Sequence, residues 1–315
     1  MDNALLFKFL PSALPQTHKS GILLALGVGI LGFSDALVPL VSDEVGLGQF
    51  HFIRSVIAIT GVFWLARATS LSLWPQSWPA VLARSAFIII AMMLFFGVLS
   101  FLPSAVAGAG LFTSPIFVLL ILIVIYGARP GWVRLGAIVG GSAGVWLLLR
   151  PDLSGFTPYH MLPVIAGLFY AGNVIATNRY CVSESPMCLL FFYFAGIGVL
   201  GLAGAVYFTF FPVATDTESA FMFGGLTSIS LSGSGWIAIM ALLTIISVWM
   251  LTAAYQTAAA SDIVVYEYSY LISAGISGWI LWGYALGMAD LFGIALIIGA
   301  GIVITRLTSV TAVSD

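Results

Sequence analysis

The chain has 315 residues, 61% of them hydrophobic and 7% charged, with a formal net charge of −2 and a mean hydropathy of +1.13. A water-soluble domain carries roughly a quarter charged residues to cover its surface. A soluble globular protein is therefore excluded, and most of the outer surface must face lipid, in the class of all-α polytopic membrane proteins.

A spanning helix needs about 20 mostly apolar residues. In chain order the sequence predicts such helices over 20–41, 48–67, 78–101, 103–127, 131–149, 159–181, 186–211, 235–258, 261–285 and 288–307. The breaks fall at Ser42-Asp43-Glu44, Pro75 to Pro79, Pro103, Arg129-Pro130-Gly131, Pro151 to Pro158, Ser185-Pro186 and the polar run Thr215 to Ser234, where turn-forming residues are expected. The first segment is too long for a signal peptide's apolar region and is read as retained. Pro39 and Pro115 interrupt the first and fourth segments. They free backbone carbonyls, permit bends and are candidate gating residues.

Charge placement orients the chain. With the N-terminus in the cytoplasm and ten crossings, Lys8, Lys19, Arg67, Arg84, Arg129, Arg134, Arg179 and Arg306 fall on or near the cytoplasmic face. Arg54 and Arg150 lie toward the other face, where Asp43, Glu44, Asp152, Asp216, Glu218 and Asp290 gather. This positive-inside bias predicts two cytoplasmic termini, residues 1–19 and 309–315. Cys181 and Cys188 flank a cytoplasmic turn with no histidine nearby, so neither a disulfide nor a metal site is expected.

The second half echoes the first. An offset of 157 residues puts Ser104 on Ser261, Gly136 on Gly293 and Gly144 on Gly301, and an offset of 138 puts Gly29 on Gly167 and Asp35 on Asn173. Two five-helix units follow, 20–150 and 159–308. An odd number of crossings per unit inverts the second relative to the first, which is the architecture of secondary transporters. Gly136, Gly140 and Gly144 in the fifth segment, with Gly293 and Gly301 in the tenth, form close-packing faces. They serve either packing within a monomer or a homodimer contact.

Phe101 to Ile121, reading FLPSAVAGAGLFTSPIFVLLI, Ala260 to Gly283, reading ASDIVVYEYSYLISAGISGWILWG, and DLFGIALIIGAGIVIT from Asp290 carry a likeness that spans essentially the whole chain. In order and spacing they resemble the fourth, ninth and tenth helices of the EamA-like, ten-helix branch of the drug/metabolite transporter superfamily. Members of that family usually end the fourth and ninth helices with Gly-Glu, where this chain has Gly127-Ala128 and Gly283-Tyr284. The resemblance implies a cavity between the halves, lined by the fourth and ninth helices with the first and sixth, and a cavity-facing Glu267.

Ionisable groups in hydrocarbon cost about 2.5–3.5 kcal/mol on insertion scales and are functional candidates by default. Asp35 and Arg54 lie at comparable depth on neighbouring helices, so they either pair with each other or leave Asp35 free to meet a cationic substrate. Arg54 is read as structural. Arg84 either snorkels to the cytoplasmic interface or partners Glu267 or an anionic substrate group. Glu267, two turns into the ninth segment, either exchanges a proton in a wet cavity or makes a helix-packing hydrogen bond or a salt bridge to Arg84, and with Asp35 it is a proton-coupling candidate. Tyr270 shares the Glu267 face, whereas Tyr266 and Tyr268 point about 100° to either side. With Tyr170, Trp249 and Tyr255 they offer an aromatic lining suited to a cationic or zwitterionic amine. Asn173 is the repeat counterpart of the Asp35 region. The candidate substrate-binding set is thus Glu267, Asp35, Tyr270, Asn173, Tyr266, Trp249 and Tyr170.

No G-x-x-x-x-G-K-[ST] loop, catalytic Ser-His-Asp constellation or metal-ligand cluster is present. The expectation is a non-enzymatic secondary transporter of the bacterial inner membrane, without cofactor, metal or nucleic-acid partner. It acts as a monomer or homodimer and moves a small polar metabolite by alternating access. The alternatives are a broad exporter of hydrophobic drug-like compounds and, in another class, a non-transporting membrane scaffold, which would be packed solid where a transporter holds a cavity.

Overall fold

The computed structural model describes residues 14–125, 127, 131–149, 158–214, 219–258 and 263–311. Eleven α-helices run through them: α1 Gln16–Asp35, α2 Leu47–Thr69, α3 Trp78–Gly97, α4 Ser104–Leu111, α5 Ser114–Val124, α6 Trp132–Leu149, α7 Leu162–Tyr180, α8 Pro186–Phe210, α9 Leu231–Thr257, α10 Ser269–Trp282 and α11 Met288–Thr311. They occupy the ten places the sequence assigns to apolar segments. Six of the ten segments (Gln16–Leu40, Leu47–Thr69, Trp78–Gly97, Pro158–Tyr180, Pro186–Phe210 and Leu231–Thr257) are long and apolar enough to cross a bilayer on their own. Lys8, Arg129, Arg150, Asp152, Asp216 and Glu218 lie outside the described residues, as does the boundary at 150–157 between the two units read from the sequence.

Two segments are broken where the sequence supplies a cause. The fourth splits into α4 and α5 at Phe112-Thr113. Pro115, second in α5, has no N–H to continue the ladder, and the Thr113 hydroxyl donates to the Gly110 carbonyl instead (2.7 Å). The ninth opens with a tight 3-10 turn, Val264–Tyr268, before α10 begins. The first segment ends at Asp35, and Pro39 sits in a separate 3-10 turn, Val38–Leu40. Gly127 and Gly283, which follow α5 and α10, both hold positive φ (67° and 68°). A left-handed residue stops each helix at the equivalent place in its half.

Large apolar side chains such as Trp64, Val199, Phe210, Ile280 and Phe292 are exposed around the bundle, as expected where lipid is the solvent. Inside, the packing has a two-fold pattern. α2 lies against α8, α6 against α11, and α4 against α10, so corresponding segments of the halves pair with each other. α1 packs on α9 as α3 packs on α7, and α1 meets α10 as α7 meets α4 and α5. Exchanging the halves leaves this pattern unchanged.

Glycines set the closest crossings. A Cβ on Gly48 of α2 would come 2.4 Å from the Gly201 carbonyl of α8, and one on Gly201 would come 2.6 Å from that of Gly48. Likewise a Cβ on Gly144 of α6 would lie 2.6 Å from the Gly293 carbonyl of α11. Close backbone approach replaces the hydrophobic drive that lipid does not supply. Gly144 and Gly293 therefore pack within one chain, whereas positions Gly136 and Gly140 face open space.

Contacts also fix helix directions. Ser269 and Ser273 of α10 donate to the Ala25 (2.9 Å) and Gly29 (2.6 Å) carbonyls of α1, so these helices run parallel. Ser20 bonds Thr257 while Gly27 meets Met250, so α1 and α9 run antiparallel. Both relations are those of alternating crossings. Lys19, Arg67 and Arg179 collect at one end of the bundle with the turn holding Glu184, and Asp43, Glu44 and Asp290 collect at the other.

Candidate functional site

A cavity lies between the halves, with about 110 Å³ open to the centre of a water molecule, which is room for several waters. Its wall draws on α1, α2, α3, α4, α7, α8, α9 and α10 and includes Phe112 in the α4–α5 break. On α9 the lining positions are Thr244, Val248, Leu251, Thr252 and Tyr255, one face of a 3.6-residue helix.

Asp35 is the carboxylate on this wall. It is 4% exposed, and its Oδ2 accepts from the Tyr270 hydroxyl at 2.9 Å. Its Oδ1 has no partner. Asp35 also borders a small pocket formed with Pro39, Ser100, Pro103, Trp282 and Tyr284. The carboxylate therefore stands between the cavity and the Glu44 end of the bundle. Trp282 closes beside it by donating from Nε1 to the Ala36 carbonyl (2.7 Å). Tyr270 is clamped: its ring meets Phe112 edge-on at 5.1 Å, and a Cβ on Gly108 would come 2.3 Å from it.

Glu267 sits differently from the sequence expectation. It is 1% exposed and belongs to the 3-10 turn rather than to the wall. Its Oε1 accepts from the hydroxyls of Tyr170 (3.0 Å) and Tyr255 (2.5 Å), and those two tyrosines form the wall in front of it. The carboxylate holds the rings and does not itself line the cavity. Tyr270, three residues on, lines the cavity, whereas Glu267 stands behind the tyrosine wall.

Other expected residues divide in the same way. Tyr170, Tyr270 and Asn173 line the cavity, and the Asn173 Oδ1 is buried without a partner. Tyr266 instead packs on Gly21 of α1, where a Cβ would meet its ring at 2.4 Å. Trp249 lies outside the lining face of α9, its Nε1 buried and unpartnered. Pro39 borders the small pocket, and Pro115 starts the helix just after the break.

The expected Asp35–Arg54 ion pair is absent: each lines the cavity, but Asp35 bonds Tyr270 and Arg54 donates to Thr244. Arg84 does not reach an interface. It is 6% exposed, lines the cavity, and donates to the Leu189 carbonyl (3.2 Å) and the Thr177 hydroxyl (3.4 Å) rather than to Glu267. It ties α3 to α7 and α8. Thr177, Thr244 and Thr252 also line the cavity, beyond the residues expected from the sequence. The spacing of Thr244, Thr252 and Tyr255, sparse polar positions on one face of an apolar helix, was the signal for them.

Residues 19–150 match the EamA-like transporter family. Among similar proteins, the pseudopaline exporter of Pseudomonas aeruginosa strain PAO1 is 23% identical over 91% of this chain and 96% of its own length. The S-adenosylmethionine uptake transporter of Rickettsia bellii is 22% identical over 68% of this chain and 69% of its own. The riboflavin transporter of Rhizobium johnstonii is 27% identical over 62% of this chain and 59% of its own. A protein crystal structure superposes with a TM-score of 0.60 at 18% identity, over 91% of this chain and 97% of that one, and shares the fold. Over residues 19–150 the chain is similar to EamA-like transporters and over most of its length to metabolite transporters, and its long apolar helices make it a multi-pass membrane protein.

Proposed function

We propose that the protein moves a small polar metabolite carrying a cationic group, such as an amine, an amino acid or another zwitterion, through the cavity between its halves by alternating access. The reading rests above all on Asp35, a buried carboxylate on the cavity wall with one oxygen free of any protein partner. Tyr170, Tyr255 and Tyr270 stand around the same space. Their hydroxyls point at carboxylates, which leaves ring faces for a cation. Metabolite transport by relatives supports the class, and S-adenosylmethionine, which the Rickettsia bellii protein takes up, is a cationic amino acid derivative of this kind.

The membrane is the bacterial inner membrane. The Lys19, Arg67 and Arg179 end faces the cytoplasm, by the positive-inside rule. Asp35 and Glu267 are the groups through which protons would be coupled, Asp35 at the substrate and Glu267 behind the tyrosine wall. The helix break at Phe112-Thr113 and the turn at Pro39 are where gating bends would occur.

Uptake or counterflow in proteoliposomes tests this. Wild-type protein is expected to carry at least one cationic or zwitterionic metabolite above the rate of protein-free liposomes. Asp35→Asn is expected to lose that transport while remaining folded. Undiminished transport in Asp35→Asn and Glu267→Gln would remove both carboxylates from the mechanism.

A further inference from the structure

Arg54 is buried, 3% exposed, about two turns into α2, and lies on the cavity wall. Its guanidinium stacks over Phe96 (4.7 Å to the ring centre) and near Phe50 (5.6 Å). Nη2 donates to the hydroxyl of Thr244, a neutral group whose own proton goes to the Met240 carbonyl. Nε and Nη1 have no acceptor. No described carboxylate bonds to it. Arg84, the other guanidinium on the wall, is instead anchored to a backbone carbonyl between helices.

A buried cation is normally paired, because leaving it unpaired in hydrocarbon is costly. A structural arginine with two idle donors is therefore a poor device for holding helices together. Its neighbours on the wall explain it better. Asp35, a residue of the same wall, also has a buried oxygen with no partner, so the wall residues include one unsatisfied acceptor of negative charge and one guanidinium with two unsatisfied donors. A molecule with an ammonium or sulfonium group and a carboxylate complements both at once.

We infer that Arg54 is a substrate-binding residue that receives the carboxylate of a zwitterionic substrate whose cationic group is held at Asp35. This rests on the cavity being the transport path. It narrows the substrate class from amines in general to compounds of the amino acid type. A carboxylate replaces Thr244 as acceptor, or adds to it, and converts neutral hydrogen bonding into a charge-assisted bond. An amine lacking the carboxylate leaves the guanidinium unpaired, the situation in which a polar site discriminates most strongly.

Matched pairs of an amino acid and its decarboxylated amine test the assignment: S-adenosylmethionine with decarboxylated S-adenosylmethionine, tryptophan with tryptamine, and lysine with cadaverine. Dissociation constants are measured on the purified full-length protein. Wild type is expected to bind the acid of at least one pair about tenfold or more tighter than its amine, the factor that one charge-assisted bond supplies. Arg54→Gln should weaken the acid and leave the amine, bringing the pair to within about threefold. Arg54→Lys keeps the charge without the planar fork and should retain part of the preference, which decides the matter if Arg54→Gln does not fold. Asp35→Asn should weaken both members. Equal binding of acid and amine by wild type, or equal weakening of both by an Arg54 variant, overturns the assignment and leaves the amine-transport reading standing. Binding of no member of any pair, together with no transport of any cationic or zwitterionic metabolite in proteoliposomes, overturns both.

Discussion

Glu44 and Glu184 perform the same task at opposite ends of the bundle, each for the other half of the chain. The Glu44 carboxylate accepts from the backbone N–H (2.9 Å) and hydroxyl (3.0 Å) of Ser230, the N-cap of α9. The Glu184 carboxylate accepts from the backbone N–H groups of Ser77 (2.7 Å), the N-cap of α3, and Gln76 (3.0 Å). A capping box normally draws its glutamate from within the helix, three residues on. Here it comes from a loop of the opposite half, so each cap also fastens the two halves at one end. A transporter that opens its ends in turn would have to loosen these two fastenings alternately.

The Glu44 fastening should depend on pH. The two hydrogen bonds from Ser230 hold its carboxyl below the ordinary value of 4.5. A depressed value means a stabilising contribution that is fully present above 4.5 and is lost as pH falls through the lower folded-state value. Glu44→Gln should therefore melt at a lower temperature than wild type near neutral pH, and the gap should close on acidification below that range. A gap that stays constant with pH would contradict the arrangement.

Glu184 is 3% exposed, so its removal leaves two N–H groups of the α3 cap without an acceptor. Glu184→Ala should destabilise the protein by about 2 kcal/mol. Its effect should be additive with that of Glu44→Gln, because the two sit at opposite ends of the bundle. Thermal unfolding of the two single variants and the double variant measures this.

Tyr270 is held against Asp35 by Gly108, where any Cβ would come 2.3 Å from the ring. Gly108→Ala should push the phenol off the carboxylate and lower transport by about 10- to 100-fold, the usual cost of a small misplacement in a working site. Gly136→Ala, at a position facing open space, is the matched control and should transport normally. Equal transport by both variants would mean that the Tyr270–Asp35 contact does not matter.

The crossing of α2 and α8 is set by Gly48 and Gly201, each of which a Cβ would drive into the other's carbonyl. Gly48→Ala should cost about 1–3 kcal/mol of stability through overpacking. Adding Gly201→Ala should cost less than a second full increment, since one separation of the helices relieves both clashes. Full additivity would argue that the crossing is not shared.

Much of this was legible in the sequence because lipid imposes simple rules. Apolar runs of bilayer length mark the segments, and the 157-residue echo points to two related halves, whereas the helix-stopping role of Gly127 and Gly283 is seen only in their positive φ. Asp35, Tyr170, Tyr270 and Asn173, candidates by helix spacing, repeat position and presumed cavity helix, do line the cavity. What failed was azimuth. The resemblance implies a cavity-facing Glu267, but the carboxylate, in the 3-10 turn Val264–Tyr268, stands behind Tyr170 and Tyr255. Tyr266 and Trp249 are aromatic like their neighbours but fall on packing faces. Nothing in a single chain distinguishes those faces when the helices are apolar all round. Arg54 and Asp35 share a depth, which is why a pair was expected. Only their actual partners, Thr244 and Tyr270, show that they do not bond each other.

Alternating access requires that the cavity be reached from both sides of the membrane. Thr252→Cys places a thiol on its wall in a background where the buried Cys181 and Cys188 are replaced by alanine. A charged, membrane-impermeant thiol reagent applied to right-side-out and to inside-out vesicles should modify Cys at this position in both, and modification should block transport. Modification from one side only, or from neither, would contradict alternating access through this cavity.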